Sequence, residues 1–160
     1  MPVPQQGEAG RRSAMKESSR MAHDGNVQNE NSGAPGGGVY DWYQRGVRLL
    51  KEGSPAAAAA LLERAAAVEP ESRSILEALA RAQFNSRQYA EAAASFRQIV
   101  NANPAEDYAY FGLGLSLWRT GDVEGAQEPL AIAVAMRPDE RHYVSALKSV
   151  RATLRARREM

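Results

Sequence analysis

At 160 residues the chain is long enough for one ordered domain of ordinary size, and it contains no cysteine, which excludes a disulfide framework, a thiolate nucleophile and a cysteine-ligated metal. Its 20 Lys and Arg nearly balance 19 Asp and Glu, so net charge singles out neither an acidic nor a basic partner. No apolar run approaches the roughly 20 residues of a membrane helix.

Residues 1–38 are rich in Gly, Ser, Asn and Gln and finish in Gly33-Ala34-Pro35-Gly36-Gly37-Gly38, the composition of a disordered tail with a flexible hinge. There is no apolar core of a signal peptide, and Arg11-Arg12 has no apolar stretch behind it, so a twin-arginine export reading fails. The expected setting is soluble and cytoplasmic. Arg11, Arg12, Lys16 and Arg20 could form a basic contact segment, but Glu8, Glu17, Asp24 and Glu30 balance them, and a solvated tail is preferred. Met15 and Met21 offer a further expectation, that translation starts at one of them instead of at Met1.

From Tyr40 a helical period takes over, and it predicts helices over 40–52, 55–68, 73–86, 89–102, 107–120, 123–136 and 140–157. Gly53 stops the first, Ser54 offers a capping hydroxyl for the second, and Pro55 sits at a first helical position where no amide donor is lost. Ala56 to Ala60 and Ala65 to Ala67 favour helix but bury little area, which makes this layer the softest. Further on, Gly121 ends a helix and Asp122 caps the next. Pro129 removes the hydrogen bond to the carbonyl of Gly125, predicting a local bend there on an outward-facing surface. Asp139 is the expected cap of the last helix, where Tyr143, Leu147, Val150 and Leu154 form one apolar stripe. Lys148, Arg151, Arg155 and Arg158 form a basic edge beside it.

Pro70, Pro104 and Pro138 recur at intervals of 34 residues, dividing 39–140 into units 39–72, 73–106 and 107–140. Position 4 is large and apolar (Trp42, Leu76, Tyr110), and position 8 is small (Gly46, Ala80, Gly114), as two closely approaching helices require. Position 20 is alanine (Ala58, Ala92, Ala126), position 24 bulky (Leu62, Phe96, Leu130) and position 27 apolar (Ala65, Ile99, Ala133). This pattern resembles the tetratricopeptide repeat over roughly 39–140. The resemblance implies an all-α fold: a right-handed superhelical α-solenoid of three helix-turn-helix repeats in a domain over 39–160, closed by a capping helix at 141–158.

It also implies that function lies in a concave groove lined by positions 2, 5, 9, 12 and 13 of each first helix. Those positions hold Tyr40, Tyr43, Val47, Leu50 and Lys51; Ser74, Glu77, Arg81, Phe84 and Asn85; and Tyr108, Phe111, Leu115, Trp118 and Arg119. Two readings of the six aromatics compete: anchors for a partner's peptide or helix, or packing between adjacent first helices. The carboxylate clamp that some members use to grip the acidic C-terminus of heat-shock chaperones is missing, because its places hold Tyr43, Val47, Ala78, Tyr108 and Gly112. Three repeats in this length also resemble the class II chaperones of type III secretion, at the level of fold alone.

Chemistry has little to work with. His23 lies in the tail and His142 in the last helix, neither with a ligand at helical spacing, so no metal, cofactor or catalytic residue is expected. Gly112-Leu113-Gly114 follows no strand and has no P-loop lysine, and helix packing explains it better than phosphate. The leading expectation is a non-catalytic scaffold or adaptor binding a protein partner. The alternatives are RNA, ribosome or anionic-surface binding through the basic helix, and self-association in which the groove of one copy receives the capping helix of another. Alanine- and arginine-rich, lysine-poor usage suggests a GC-rich bacterial genome.

Overall fold

The computed structural model describes residues 37–160. The rest of the expected tail, with Arg11, Arg12, Lys16, Arg20, His23 and the alternative starts Met15 and Met21, lies outside the described residues. Seven helices and no strand occupy those that are described: α1 Val39–Lys51, α2 Pro55–Val68, α3 Arg73–Asn85, α4 Tyr89–Ala102, α5 Asp107–Thr120, α6 Val123–Met136 and α7 Arg141–Arg158. Each packs on the next in sequence, α1 also meets α3, and α5 also meets α7. This is the right-handed stacking of a helical-repeat solenoid, in which α1, α3 and α5 are the first helices of the repeats and α2, α4 and α6 the second.

The 34-residue register is written in the packing. A Cβ built on Gly46 would lie 2.6 Å from Cγ of Leu62, and one on Gly114 2.5 Å from Cγ of Leu130, so position 8 is small because position 24 presses on it. Each repeat turns between its helices through one residue with positive φ: Gly53 (82°), Arg87 (65°) and Gly121 (95°). The amides of Ser54, Gln88 and Asp122 reach back to the carbonyls of Leu49, Gln83 and Leu117, the six-to-one bond of a Schellman motif, in all three repeats. Glycine serves the first and third turns; Arg87 adopts the same left-handed backbone despite its Cβ.

Two expected caps are corrected. Ser54 makes no side-chain bond to α2, although its carbonyl accepts from the amide of Ala58. Asp139 does not cap α7, whose N-cap is Glu140; Asp139 instead pairs with Arg137 at 3.8 Å. Asp122 does cap α6, accepting from the amide of Gly125 at 2.8 Å, and the Ser72 hydroxyl accepts from Ile75 in α3. Pro129 is buried, not outward-facing, and α6 runs without interruption through it and Gly125.

Two apolar cores divide the molecule. One joins α1 and α2 to Ile75, Ala78, Leu79 and Ala82 of α3. The other joins Leu76, Ala80 and Phe84 of the same helix to α4, α5, α6 and α7. α3 therefore lends one face to each. α7 buries Tyr143, Ala146, Leu147, Val150 and Leu154. The first four of these to lie in register, Tyr143, Ala146, Leu147 and Val150, occupy positions 3, 6, 7 and 10, the same ones α3 and α5 bury, so the capping helix packs as the first helix of a fourth repeat would.

Candidate functional site

The face formed by α1, α3 and α5 is where the repeat register places a binding groove, and the structure sorts its predicted residues by burial. Tyr43 (3% exposed), Phe84 (2%), Tyr108 (6%) and Phe111 (5%) are inside, as is Val47. This corrects the expectation of six aromatics lining one open groove. The reason is ring packing: Phe84, Tyr108 and Phe111 each meet another ring, on the second helix of a repeat or on α7, before they meet solvent. Phe111 lies 4.7 Å from the ring of Tyr143, Phe84 stands edge-on to Tyr89 at 5.0 Å, and Tyr108 edge-on to Phe96 at 6.3 Å. The first and last of these pairs join successive layers, and Phe84 with Tyr89 joins the two helices of one repeat.

The remainder of the predicted set stays at the surface. Tyr40, Arg81, Leu115 and Trp118 are half-buried, and Lys51 and Arg119 are exposed. Leu115 and Trp118 rest against the larger core while keeping part of their area accessible. Tyr40 accepts a hydrogen bond from Gln44 at 2.7 Å, which fixes its ring. The guanidinium of Arg119 sits 5.6 Å from the ring centre of Tyr89 and 6.0 Å from that of Phe84, and it donates to the Tyr89 hydroxyl at 3.4 Å. Tyr89, the first residue of α4, was missed by sequence reasoning because the groove register counts only first helices. Arg64 over the ring of Trp42, at 4.6 Å, was missed for the same reason.

Polar contacts elsewhere are structural. Ser95 donates to the side-chain oxygen of Gln83 at 2.6 Å, with both residues buried. Arg73 pairs with Glu106, and the Tyr143 hydroxyl donates to Asp107 at 2.6 Å, tying α7 to α5. Gly112 and Gly114 are explained by packing, for a Cβ at Gly112 would lie 2.5 Å from the ring of Phe96. His142 is half-buried. Among the described residues no group of His, Cys, Asp and Glu could hold a metal ion, and no helix is long and apolar enough to cross a membrane.

The basic edge of α7 is placed together. Lys148, Arg151, Arg155 and Arg158 are all exposed, and with Gln127 of α6 they border an open depression of about 540 Å³.

A family model for the tetratricopeptide repeat matches residues 43–106 and 77–141. The chain belongs to the tetratricopeptide repeat family. No curated protein matches it in sequence. Among solved structures it is similar to MamA from Desulfovibrio magneticus RS-1, residues 41 to the end, with 22% identity over 92% of this chain and 80% of that one and a TM-score of 0.70. The first tetratricopeptide domain of Spaghetti (RPAP3), bound to the HSP90 peptide SRMEEVD, matches with 17% identity over 72% of this chain and 92% of that one, TM-score 0.66. The Sgt2 tetratricopeptide domain of Aspergillus fumigatus matches with 18% identity over 76% and 82%, TM-score 0.67. At these identities the likeness is one of fold.

Proposed function

We propose that this protein is a non-catalytic adaptor that binds a segment of a partner protein along the face of α1, α3 and α5. The observation that supports this reading is that Tyr40, Leu115 and Trp118 of the first helices keep part of their area accessible, with the cations Lys51, Arg81 and Arg119 on the same three helices. Partly exposed rings beside arginine are the usual anchors of protein interfaces, and a partner segment mixing apolar with acidic side chains is their complement. Peptide capture by the same fold in the RPAP3 domain supports a segment-binding role. The clamp positions differ, however: Tyr43, Val47, Ala78, Tyr108 and Gly112 are all buried and uncharged, leaving nothing at those places to grip a terminal carboxylate. The segment is therefore internal or helical. The cysteine-free, alanine- and arginine-rich composition supports a bacterial cytoplasmic setting.

Self-association by handing α7 to a neighbour's groove is disfavoured, since the apolar stripe of α7 is already buried on its own chain. The test is affinity capture from the parent cell with the natural protein and with Tyr40→Ala plus Trp118→Ala, both checked for helicity by circular dichroism. At about 2 kcal/mol for a hot-spot ring, each lost anchor should weaken a groove partner by roughly 30-fold, and the two together by several hundred-fold. An identical captured set from both proteins would sink the groove reading.

A further inference from the structure

We infer that the exposed edge of α7 is a second binding surface, independent of the groove, and that it takes the phosphodiester backbone of a single-stranded nucleic acid. α7 packs as the first helix of a fourth repeat, so the face it leaves bare is the one that a second helix covers in every other repeat. At position 8, where Gly46, Ala80 and Gly114 admit such a helix, α7 carries Lys148. With Gly114 there is already no room for a Cβ against Leu130. A lysine at the equivalent place keeps any helix from packing at that distance.

The bare face offers charge in place of apolar anchors. Lys148, Arg151, Arg155 and Arg158 are exposed, none makes an ion pair with another described residue, and α7 contains no acidic residue. Spaced at three, four and three residues, they form a row about 15 Å long at the helical rise. Beside the row lies the open depression bordered by Gln127 and Ala152, roomy enough for phosphate groups and lacking an exposed ring for a protein partner to grip.

Two other polyanions fit less well. Insertion into a membrane needs an apolar face, and that of α7 is committed to α5 and α6. Duplex reading needs a helix that can enter the major groove, whereas α7 lies flat on α6 with one edge free. A short cationic row beside an open depression suits the backbone of a flexible strand by charge alone; with no ring in the lining for bases to stack on, binding is expected to be indifferent to sequence and strongly salt-dependent.

The experiment uses the full chain and a fluorescein-labelled oligouridylate, with anisotropy read over a salt series. Four phosphate contacts predict a slope of log affinity on log salt of about −3, or roughly a 50-fold loss between 50 and 200 mM salt. Changing Arg151→Gln with Arg155→Gln should reduce the slope to about −1.4, at about −0.7 per contact. Arg48→Gln with Arg97→Gln removes the same charge from exposed sites elsewhere and should change nothing. Circular dichroism of each variant confirms that α7 is retained. A slope near zero, or equal loss in both double variants, would overturn the assignment. So would binding to vesicles of equal parts phosphatidylcholine and phosphatidylserine without binding to the oligonucleotide.

Discussion

The boundary between the second and third repeats makes a quantitative prediction about Gly112. Phe96 at position 24 of one repeat presses on Gly112 at position 6 of the next, and the same register pairs Leu62 with Ala78 and Leu130 with Ala146. Leucine goes with alanine; phenylalanine goes with glycine. A Cβ on Gly112 would sit 2.5 Å from Cε1 and Cζ of Phe96, about 1 Å inside ordinary carbon contact. Phe96 is 1% exposed and has nowhere to swing. Gly112→Ala should therefore cost about 2–3 kcal/mol in overpacking, less about 1 kcal/mol returned by better helix propensity, for a net loss of about 1–2 kcal/mol. Phe96→Leu should cost about 1 kcal/mol from lost contact. Together they recreate the pairing found at the other two boundaries, so the double variant should be more stable than the sum predicts by about 1–2 kcal/mol. Urea unfolding followed by Trp118 fluorescence, in a Trp42→Phe background, measures all four corners of the cycle. Additivity within about 0.5 kcal/mol would refute the complementarity argument.

Two further changes test the turns and the buried polar pair. Arg87→Gly should stabilise the protein by about 0.5–1 kcal/mol, because relief of the left-handed backbone outweighs the entropy that glycine adds to the unfolded chain. Thermal denaturation should show Tm rising by a few degrees, and a fall would mean that the Arg87 side chain makes a contact worth more than the strain. Ser95→Ala leaves the buried Gln83 oxygen without its 2.6 Å donor and should cost about 1–3 kcal/mol, whereas adding Gln83→Leu should recover much of that loss. Urea midpoints for the single and double variants decide the matter, and an equal loss in both would show that the hydrogen bond itself contributes little.

The repeat length, the helix order and the small-against-bulky pairs were legible because they follow from short-range period and steric size. All seven predicted helices lie within a residue of the observed ones. What the sequence concealed depends on neighbours far along the chain. Whether Tyr43 or Phe111 faces solvent is decided by how closely the next first helix approaches, which no local pattern states. Arg87 was invisible as a turn residue because its backbone conformation is imposed by the Schellman bonds around it and carries no glycine signal. Asp139 fits a cap by residue type, but the chain enters α7 one residue later, with Glu140 at the boundary. The basic edge was legible as charge; that it occupies the place of an absent second helix became clear only from the register of α7.

Because α3 gives Ile75 and Leu79 to one core and Leu76 and Phe84 to the other, it is a party wall between two cooperative units. The alanine-rich first layer can open and leave that wall standing on its C-terminal side, so amides of α1 and α2 should exchange with deuterium faster than those of α5 and α6. The two tryptophans stand on opposite sides, Trp42 against the smaller core and Trp118 against the larger. Each should report its own side, so unfolding read at Trp42 and at Trp118 is expected to give two midpoints, and coincident transitions would show a single cooperative unit.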